Sequence, residues 1–185
     1  RGLKALNANY VAAHFGKWGM GSVPEQVGYD VSDGPHQNRA GGFVNDRTQW
    51  DPSVKEDPKR INELTDKAIG FMRDQTEANR PFYLQVSHWA VHANLEATAE
   101  RLAKYESKTP GAQQISPGLA AMTEDLDAGF GRLMDEVEAL GLSDNTYVFY
   151  MSDNGSVPNI PGARKYERSY NYPLSRGKWD AMEGG

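Results

Sequence analysis

The order of apolar and polar residues along the chain predicts three strands. A short apolar run at 9–15 (NYVAAHF) ends at a glycine-rich segment. The run at 82–86 (FYLQV) predicts a strand buried on both faces, as in a parallel sheet. The run at 145–151 (NTYVFYM) predicts a third strand, and a polar turn follows it directly.

Apolar residues recur at intervals of three and four in three other segments, which predicts helices over 58–77, 96–107 and 117–140. Asp57 is placed to cap the first helix, and Gly141 is placed to end the last. The apolar stripe of the last helix contains Leu119, Met122, Leu126, Phe130, Leu133, Val137 and Leu140. Helices that alternate with strands indicate an α/β sheet domain.

Residues 21–52 are rich in Gly, Pro, Asp and Asn, which predicts a long loop. A loop of that length inside a compact domain is more often functional than idle. In α/β sheets, ligands bind at the carboxyl ends of the strands. This rule directs attention to three polar segments, Gly16–Gly21, Ser87–His92 and Ser152–Gly155.

Composition excludes several classes of protein. The 185 residues are 38% hydrophobic and 24% charged, which fits one ordinary domain. No apolar run approaches the roughly 20 residues of a membrane helix, so no membrane partner is expected. The net charge is −5 with scattered basic residues, which is unlike a nucleic-acid binder. The absence of cysteine excludes a disulfide scaffold, a thiolate zinc site and a cysteine nucleophile within this chain.

The polar residues after the last predicted strand form a candidate metal site. Asp153 and Asn154 offer a carboxylate and an amide oxygen, which suit Ca²⁺ or Mg²⁺ rather than zinc. The same residues with Gly155 also match an ordinary turn after a strand. These residues alone do not decide between a metal site and a turn.

Two histidines and two lysines add candidates for binding an anion. His88 and His92 follow a strand and could protonate a leaving group, or they could form a structural pair. Lys17 and Lys178 stand beside glycines, where a lysine can approach a phosphate or sulfate or can simply be solvated. The Walker A spacing is absent around Lys17. Two cations, two imidazoles and a hard-metal pair together point to a tetrahedral oxyanion ester.

Four segments in order resemble the type I, formylglycine-dependent sulfatase family of the alkaline phosphatase superfamily. They are HFGKWGMG, PFYLQVSHWAVH, MTEDLDAGFGRLMDEVEALGLSDNTYVFYMSDNGS and RGKWDAMEGG, and they cover nearly the whole chain. The resemblance implies a three-layer α/β/α sandwich with a mostly parallel sheet. It also implies that residues 1–185 are a single partial catalytic domain, incomplete at both ends, whose parent hydrolyses sulfate monoesters.

The resemblance also implies a role for each candidate residue. Lys17 matches the lysine that contacts the formylglycine, and His92 matches the histidine that faces the sulfate and protonates the leaving alcohol. Asp153 and Asn154 match a metal pair that holds Ca²⁺, with Mg²⁺ less favoured. Lys178 matches the lysine that binds the sulfate oxygens. At Gly19 this sequence departs from the family, which has a histidine there.

The family nucleophile is made from Cys or Ser in a C/S-x-P-x-R motif, which this chain lacks. The segment Ser22–Gln26 (SVPEQ) has no arginine and follows Lys17 instead of preceding it. Asp125 and Asp127 are expected to be solvated helix residues, not the missing acidic metal ligands. The chain is therefore interpreted as an internal segment that is inactive alone, and its incomplete sheet is expected to favour self-association.

Other functions are compatible with the same residues. A phosphomonoesterase or phosphonate hydrolase of the superfamily would need more metal ligands, and an inactive protein that binds sulfated glycans would need no nucleophile. Trp18, Trp50, Trp89 and Trp179 lie in or near the candidate loops, which favours a sulfated carbohydrate as substrate unless these rings only pack. No signal peptide is visible, and periplasmic or extracellular export is implied by the resemblance alone.

Overall fold

The computed structural model describes residues 2–111, 115–157 and 171–185. Its helices are α1 (Gly2–Leu6), α2 (Pro24–Val27), α3 (Ile61–Glu77), α4 (Ala99–Glu106) and α5 (Pro117–Ala139). Its strands are β1 (Val11–Gly16), β2 (Val31–Ser32), β3 (Ser53–Val54), β4 (Phe82–Ser87) and β5 (Glu96–Ala97). Short 3₁₀ turns lie at Asn38–Gly41, Pro58–Arg60 and Ser143–Asn145. Within the described residues, no helix is both long and apolar enough to cross a membrane.

The main sheet has β1 at its centre, with β2 on one side and β4 on the other, and all pairings are parallel. Val11 lies opposite Phe82, and Gly16 lies opposite Ser87, so β1 and β4 end at the same edge. A second, two-stranded parallel sheet pairs β3 with β5. Parallel strands joined through α3 confirm the predicted α/β class.

The core forms where α3 packs on β1 and β4. Phe71 of α3 makes edge-to-face contacts with Phe15, at 6.2 Å between ring centroids, and with Phe82, at 5.8 Å. The buried cluster contains Ala13, Phe15, Leu64, Ala68, Phe71 and Trp89. Burial of these apolar side chains holds the helix against the sheet and fixes the edge at which both strands end.

The start of α3 differs from its prediction by one turn. The Asp57 carboxylate accepts hydrogen bonds from the backbone N–H groups of Asn62, at 2.7 Å, and Glu63, at 3.1 Å, which confirms the predicted cap. However, Lys59 and Arg60 have left-handed φ angles of 53° and 55°. The regular helix therefore begins after them, at Ile61.

Helix α5 has about the predicted length, but one residue that was expected to be solvated is buried. The helix ends at Ala139, and Gly141 follows with a φ of +68°, which lets the N–H of Leu142 bond to the carbonyl of Val137. Asp125 was expected to be solvated, and this expectation is wrong. Its carboxylate is buried between α4 and α5, where it accepts hydrogen bonds from Arg101 and Thr98. Asp127 is exposed, as predicted.

Four further predictions are corrected. No strand forms over 145–151 in the described part of the chain, because the segment has no ladder partner and its side chains, such as Tyr147, are exposed. Strand β4 is only half-buried, since it pairs with β1 alone and Tyr83 is exposed. The predicted helix over 96–107 starts later, because β5 occupies Glu96–Ala97. The predicted loop at 21–52 contains α2, β2 and a 3₁₀ turn.

Candidate functional site

Lys17 stands at the edge where β1 and β4 end. Gly16 precedes it with a φ of +101°, and a Cβ on Gly16 would lie 2.2 Å from the carbonyl oxygen of Ser87, so only glycine fits. The N–H of Lys17 donates to that carbonyl at 2.7 Å, and the N–H of Trp18 donates to the carbonyl of His36 at 2.6 Å. The backbone on both sides thereby fixes the start of the lysine side chain.

His92 lies in the loop after β4 and is half-buried. Its Nδ1 donates to the carbonyl of Ala93 at 2.8 Å, because a carbonyl can only accept, and this leaves Nε2 as the second site for a proton. The ring meets Phe43 edge to face, with 4.8 Å between centroids. The histidine is therefore held by one hydrogen bond and one aromatic contact.

Three lysines influence the protonation of His92. Burial is the main cause that lowers its pKa below the ordinary value, and the hydrogen bond to Ala93 opposes that shift. The positive charges of Lys178, Lys17 and Lys59 lower the pKa further. The structure therefore brings Lys17 and Lys178 within electrostatic range of His92, although the three residues are far apart in the sequence.

Lys178 also connects this group to the segment that carries Asp153 and Asn154. Its backbone N–H donates to the carbonyl of Ser156 at 3.0 Å. Gly155 packs tightly against the end of the chain, since a Cβ there would overlap the carbonyl of Gly184. The fold thus places the turn after Asn154 beside the segment of Lys178.

Asp153 and Asn154 match a hard cation in donor type but not in number. Asp153 is exposed and Asn154 is half-buried. Calcium takes about six to eight oxygen ligands, and these two side chains supply only part of such a set. In the described ranges, no group of three or more His, Cys, Asp or Glu side chains could hold a metal ion. The described residues therefore do not complete a metal site.

His88 differs from His92 in its environment. Burial lowers the pKa of His88 to about 4, and its Nδ1 has no hydrogen-bond partner among the described residues. The ring is therefore neutral at physiological pH and cannot act there as a proton donor of the imidazolium type. Of the two histidines, His92 is the better candidate for acid catalysis.

Sequence reasoning missed Lys59 and Phe43 as neighbours of His92. A lysine in a Pro-Lys-Arg sequence at the start of a helix is ordinarily solvated, yet Lys59 is 1% exposed. Phe43 lies inside the long loop at 21–52 and has no periodic pattern around it. Neither residue carries a sequence signal that would have identified it, because both approach His92 through tertiary contacts.

The tryptophans divide into core and surface. Trp18 and Trp89 are buried, and Trp89 packs in the core with Arg60 5.2 Å from its ring centroid, so neither ring is free to stack on a sugar. Trp50 is half-buried, whereas Trp179 is 78% exposed and follows Lys178 directly. Only Trp179 presents an open ring beside the lysine group.

Gly19 occupies the position of the histidine expected from the resemblance. A Cβ built on Gly19 would meet no atom within 4 Å, so space is open beside the Lys17 loop. A separate hollow of about 450 Å³ between α1 and the sheet is mainly apolar and is lined in part by Tyr29, Tyr83 and Gln85. Because it contains none of the three charged candidates, we do not assign the anion chemistry to it.

Comparison with known proteins gives one consistent family. The family model described as Sulfatase matches residues 4–184. N-acetylgalactosamine-6-sulfatase of Canis lupus familiaris is 26% identical over 96% of this chain and 36% of its own length. A sulfatase of Formosa agariphila is 29% identical over 69% of this chain and 24% of its own.

Solved structures agree with these relatives. The crystal structure of Ps i-CgsB has a TM-score of 0.69 and 25% identity, covering 98% of this chain and 44% of that one. The same protein in complex with k-i-k-neocarrahexaose has a TM-score of 0.68. The chain thus spans about a third of the length of the curated relatives it matches and less than half of the solved structures.

Proposed function

The chain belongs to the sulfatase family, and we propose that it supplies the sulfate-binding and leaving-group side of a site that hydrolyses sulfate monoesters. One arrangement carries the proposal: the backbone of Lys17 bonds to Ser87 at the end of β4, the loop after β4 holds His92, and the charges of Lys17 and Lys178 both lower the pKa of His92. Two cations around one imidazole suit an anionic ester whose leaving oxygen needs a proton. Because the chain covers only part of its relatives, the activity of a whole protein is part of the proposal.

The two lysines stabilise the negative charge on the sulfuryl oxygens. When the S–O bond to the leaving group breaks, negative charge develops on the leaving oxygen as well as on the sulfuryl group. Fixed ammonium groups stabilise that charge more in a partly buried site than in water. The backbone N–H of each lysine is held by a hydrogen bond, from Lys17 to Ser87 and from Lys178 to Ser156.

His92 gives the proton to the leaving oxygen. Its Nδ1–H is already used by Ala93, so Nε2 is the nitrogen that carries the transferable proton. In the free site the lysines oppose protonation of His92. A bound sulfate ester offsets those charges and raises the pKa of His92, so substrate binding itself favours the protonated, acidic form.

The roles of Lys17, Lys178 and His92 do not depend on two further groups that the family resemblance implies. A formylglycine hydrate supplies the nucleophile in that family, and this chain contains no cysteine from which to make it. Calcium coordination by Asp153 and Asn154 remains a prediction. The residues derived above bind the anion and move the proton whichever group attacks sulfur.

Sulfated carbohydrates are the proposed substrate class. One relative is an N-acetylgalactosamine-6-sulfatase, and one solved relative holds the oligosaccharide k-i-k-neocarrahexaose. In this chain, the exposed ring of Trp179 lies beside Lys178, where a sugar can stack while its sulfate meets the ammonium group. Export to the periplasm or beyond is proposed with this substrate class.

Binding of inorganic sulfate to the 185-residue chain tests the anion site. We expect the His92 ring signals to shift with sulfate in an NMR titration. Lys17→Met and Lys178→Met should each weaken binding about tenfold or more, since each removes a charged hydrogen-bond donor. Lys104→Met, which removes a surface lysine paired with Glu124, is the matched control and should bind as the wild type does. Equal binding by all four proteins would refute the assignment.

Hydrolysis tests the reaction class. The protein encoded by the complete gene should cleave an aryl sulfate faster than the matched aryl phosphate, and the 185-residue chain alone should cleave neither. His92→Gln in the longer protein should slow the sulfate reaction about a hundredfold, with the smallest loss for the best leaving groups. A strong preference for the phosphate ester would replace the proposal with a phosphomonoesterase.

A further inference from the structure

Lys59 is a buried cation that the reaction described above does not use. Its side chain is 1% exposed, and Nζ donates to the carbonyl of Gly41 at 2.8 Å. Its backbone N–H donates to the Glu96 carboxylate at 2.8 Å. Buried lysines are rare because removing an ammonium group from water costs free energy, so this burial needs a compensating role.

The backbone conformation at Lys59 is also unusual. Lys59 and Arg60 both adopt left-handed φ angles, which non-glycine residues rarely do, and here two such residues are consecutive. Such conformations persist where the surrounding structure determines them, and they cluster at functional sites. The turn delays the start of α3 and directs the lysine inward to Gly41 instead of outward to solvent.

The carbonyl that Lys59 binds belongs to a wall of the candidate site. A Cβ on Gly41 would lie 2.1 Å from Trp89, and a Cβ on Gly42 would lie 2.4 Å from the Glu96 carboxylate, so this backbone is closely packed. The next residue, Phe43, meets the His92 ring at 4.8 Å. One buried ammonium group therefore holds the backbone that presents Phe43 to the histidine.

We propose that Lys59 is a positioning residue of the anion site, fixing the Gly41–Phe43 wall against His92 and adding a third positive charge to those of Lys17 and Lys178. The inference rests on the proposed function, since it assigns Lys59 to the same site. Lys59 acts through its hydrogen bond to Gly41 and through the electrostatic effect of its positive charge. It does not contact the ester. Its charge is only partly offset, because the nearest acid, Glu96, bonds to its backbone instead of its ammonium group.

The test compares Lys59→Met with Lys104→Met, two variants that remove one lysine charge each. In Lys59→Met, the midpoint of the His92 titration by NMR should rise by roughly half a pH unit or more, because one repelling charge is gone. The His92 ring protons should also lose much of the ring-current shift from Phe43, as they do in Phe43→Leu. Sulfate binding should weaken roughly threefold to tenfold. Lys104→Met should leave all three measurements unchanged.

A folded Lys59→Met with the wild-type His92 midpoint and ring shifts would overturn the proposal. The two hypotheses fail separately. If the wild-type chain does not bind sulfate but Lys59→Met still raises the His92 midpoint, the proposed function is refuted and the positioning role remains. If sulfate binding needs Lys17 and Lys178 but is indifferent to Lys59, the positioning role is refuted and the function remains.

A measurement on the wild type decides the matter if Lys59→Met does not fold. The titratable groups that interact with this cation are Glu96 and His92. Burial lowers the pKa of Lys59 to about 8, with Glu96 opposing the shift. Its loss of charge should produce a second inflection near that pH in the His92 ring carbon signals. Signals that stay flat between about pH 7 and pH 10 would overturn the proposal.

Discussion

Asp125 shows how one residue can be structural although its neighbour of the same type is not. Its carboxylate accepts hydrogen bonds from the guanidinium of Arg101 and from both the N–H and the hydroxyl of Thr98. These bonds join α5 to the first turn of α4. Asp127, two residues later, is exposed on the same helix. The two side chains differ only in the helix face on which they lie.

Replacing these aspartates should therefore separate the two roles. Asp125→Ala should lower the free energy of unfolding by about 2–3 kcal/mol, because it leaves Arg101 and the N–H of Thr98 without their acceptor. Asp127→Ala, with the same charge change, should alter it by less than about 0.5 kcal/mol. Urea denaturation measures both. Equal losses in the two variants would contradict the buried pair.

His88 should make the stability of the chain sensitive to mild acid. Its pKa is about 4 in the fold, lowered by burial, whereas an unfolded histidine has a pKa near 6.5. The unfolded state therefore takes up a proton first as the pH falls. The free energy of unfolding should decrease between about pH 6.5 and pH 4, by up to about 3 kcal/mol. His88→Gln should remove that part of the pH dependence, which denaturation at several pH values measures. If the free energy of unfolding of the variant depends on pH as that of the wild type does, the assignment to His88 is wrong.

At the scale of elements, the sequence predicted helices and strands that have a clear pattern of their own. It failed where a strand also needs a neighbouring strand to pair with. Strand β1 was predicted from its short apolar run, and helices α3 and α5 were predicted from the periodic patterns of their own residues. The segment 145–151 has a strand-like composition, but strands need a neighbour to bond to, and the described chain provides none. Composition records the preference of a segment, whereas pairing is decided by the rest of the molecule.

The same distinction applies to the candidate site. Lys17, His92 and Lys178 could be identified because each follows a strand or stands among glycines. Lys59 could not, since its burial depends on the Gly41 carbonyl, which reaches it only through the folded loop. The predicted metal pair stays a prediction, because no group of three or more His, Cys, Asp or Glu side chains in the described part of the chain could hold a metal ion.

Two glycines in α5 provide a test of helix packing. A Cβ on Gly129 would lie 2.6 Å from Ile61 of α3, whereas a Cβ on Gly131 would meet no atom within 4 Å. Gly129→Ala should thus destabilise the fold by about 1–3 kcal/mol through crowding against α3. Gly131→Ala should stabilise it by about 0.5–1 kcal/mol, because alanine favours the helix. Thermal and urea unfolding measure both variants. A change in the free energy of unfolding with the same sign in both would contradict this prediction.

At the scale of the whole molecule, the described surface leaves one apolar segment unpaired. Phe149 is 84% exposed, and Tyr147 is 92% exposed, in a stretch without ladder hydrogen bonds. Strand β4 is also an edge of the described sheet. Unpaired backbone next to apolar side chains is a ready site for association with another chain.

Self-association should accordingly depend on this segment. Sedimentation velocity should show oligomers that grow with concentration, and Phe149→Lys should weaken the association about tenfold or more, because it places a charge on the contact surface. Leu6→Lys is the control, since Leu6 is 87% exposed in a different region. A chain that stays monomeric at all concentrations, or a Leu6→Lys variant with the same effect, would contradict the assignment.

The vacant volume beside Gly19 makes a direct experiment on evolution possible. Gly19 has no left-handed φ and no neighbour that a side chain would strike. The histidine that the family resemblance implies at this position can therefore be installed without disturbing the Lys17 loop. Two proteins that differ only at this position would measure how much an added imidazole contributes to the binding of sulfate.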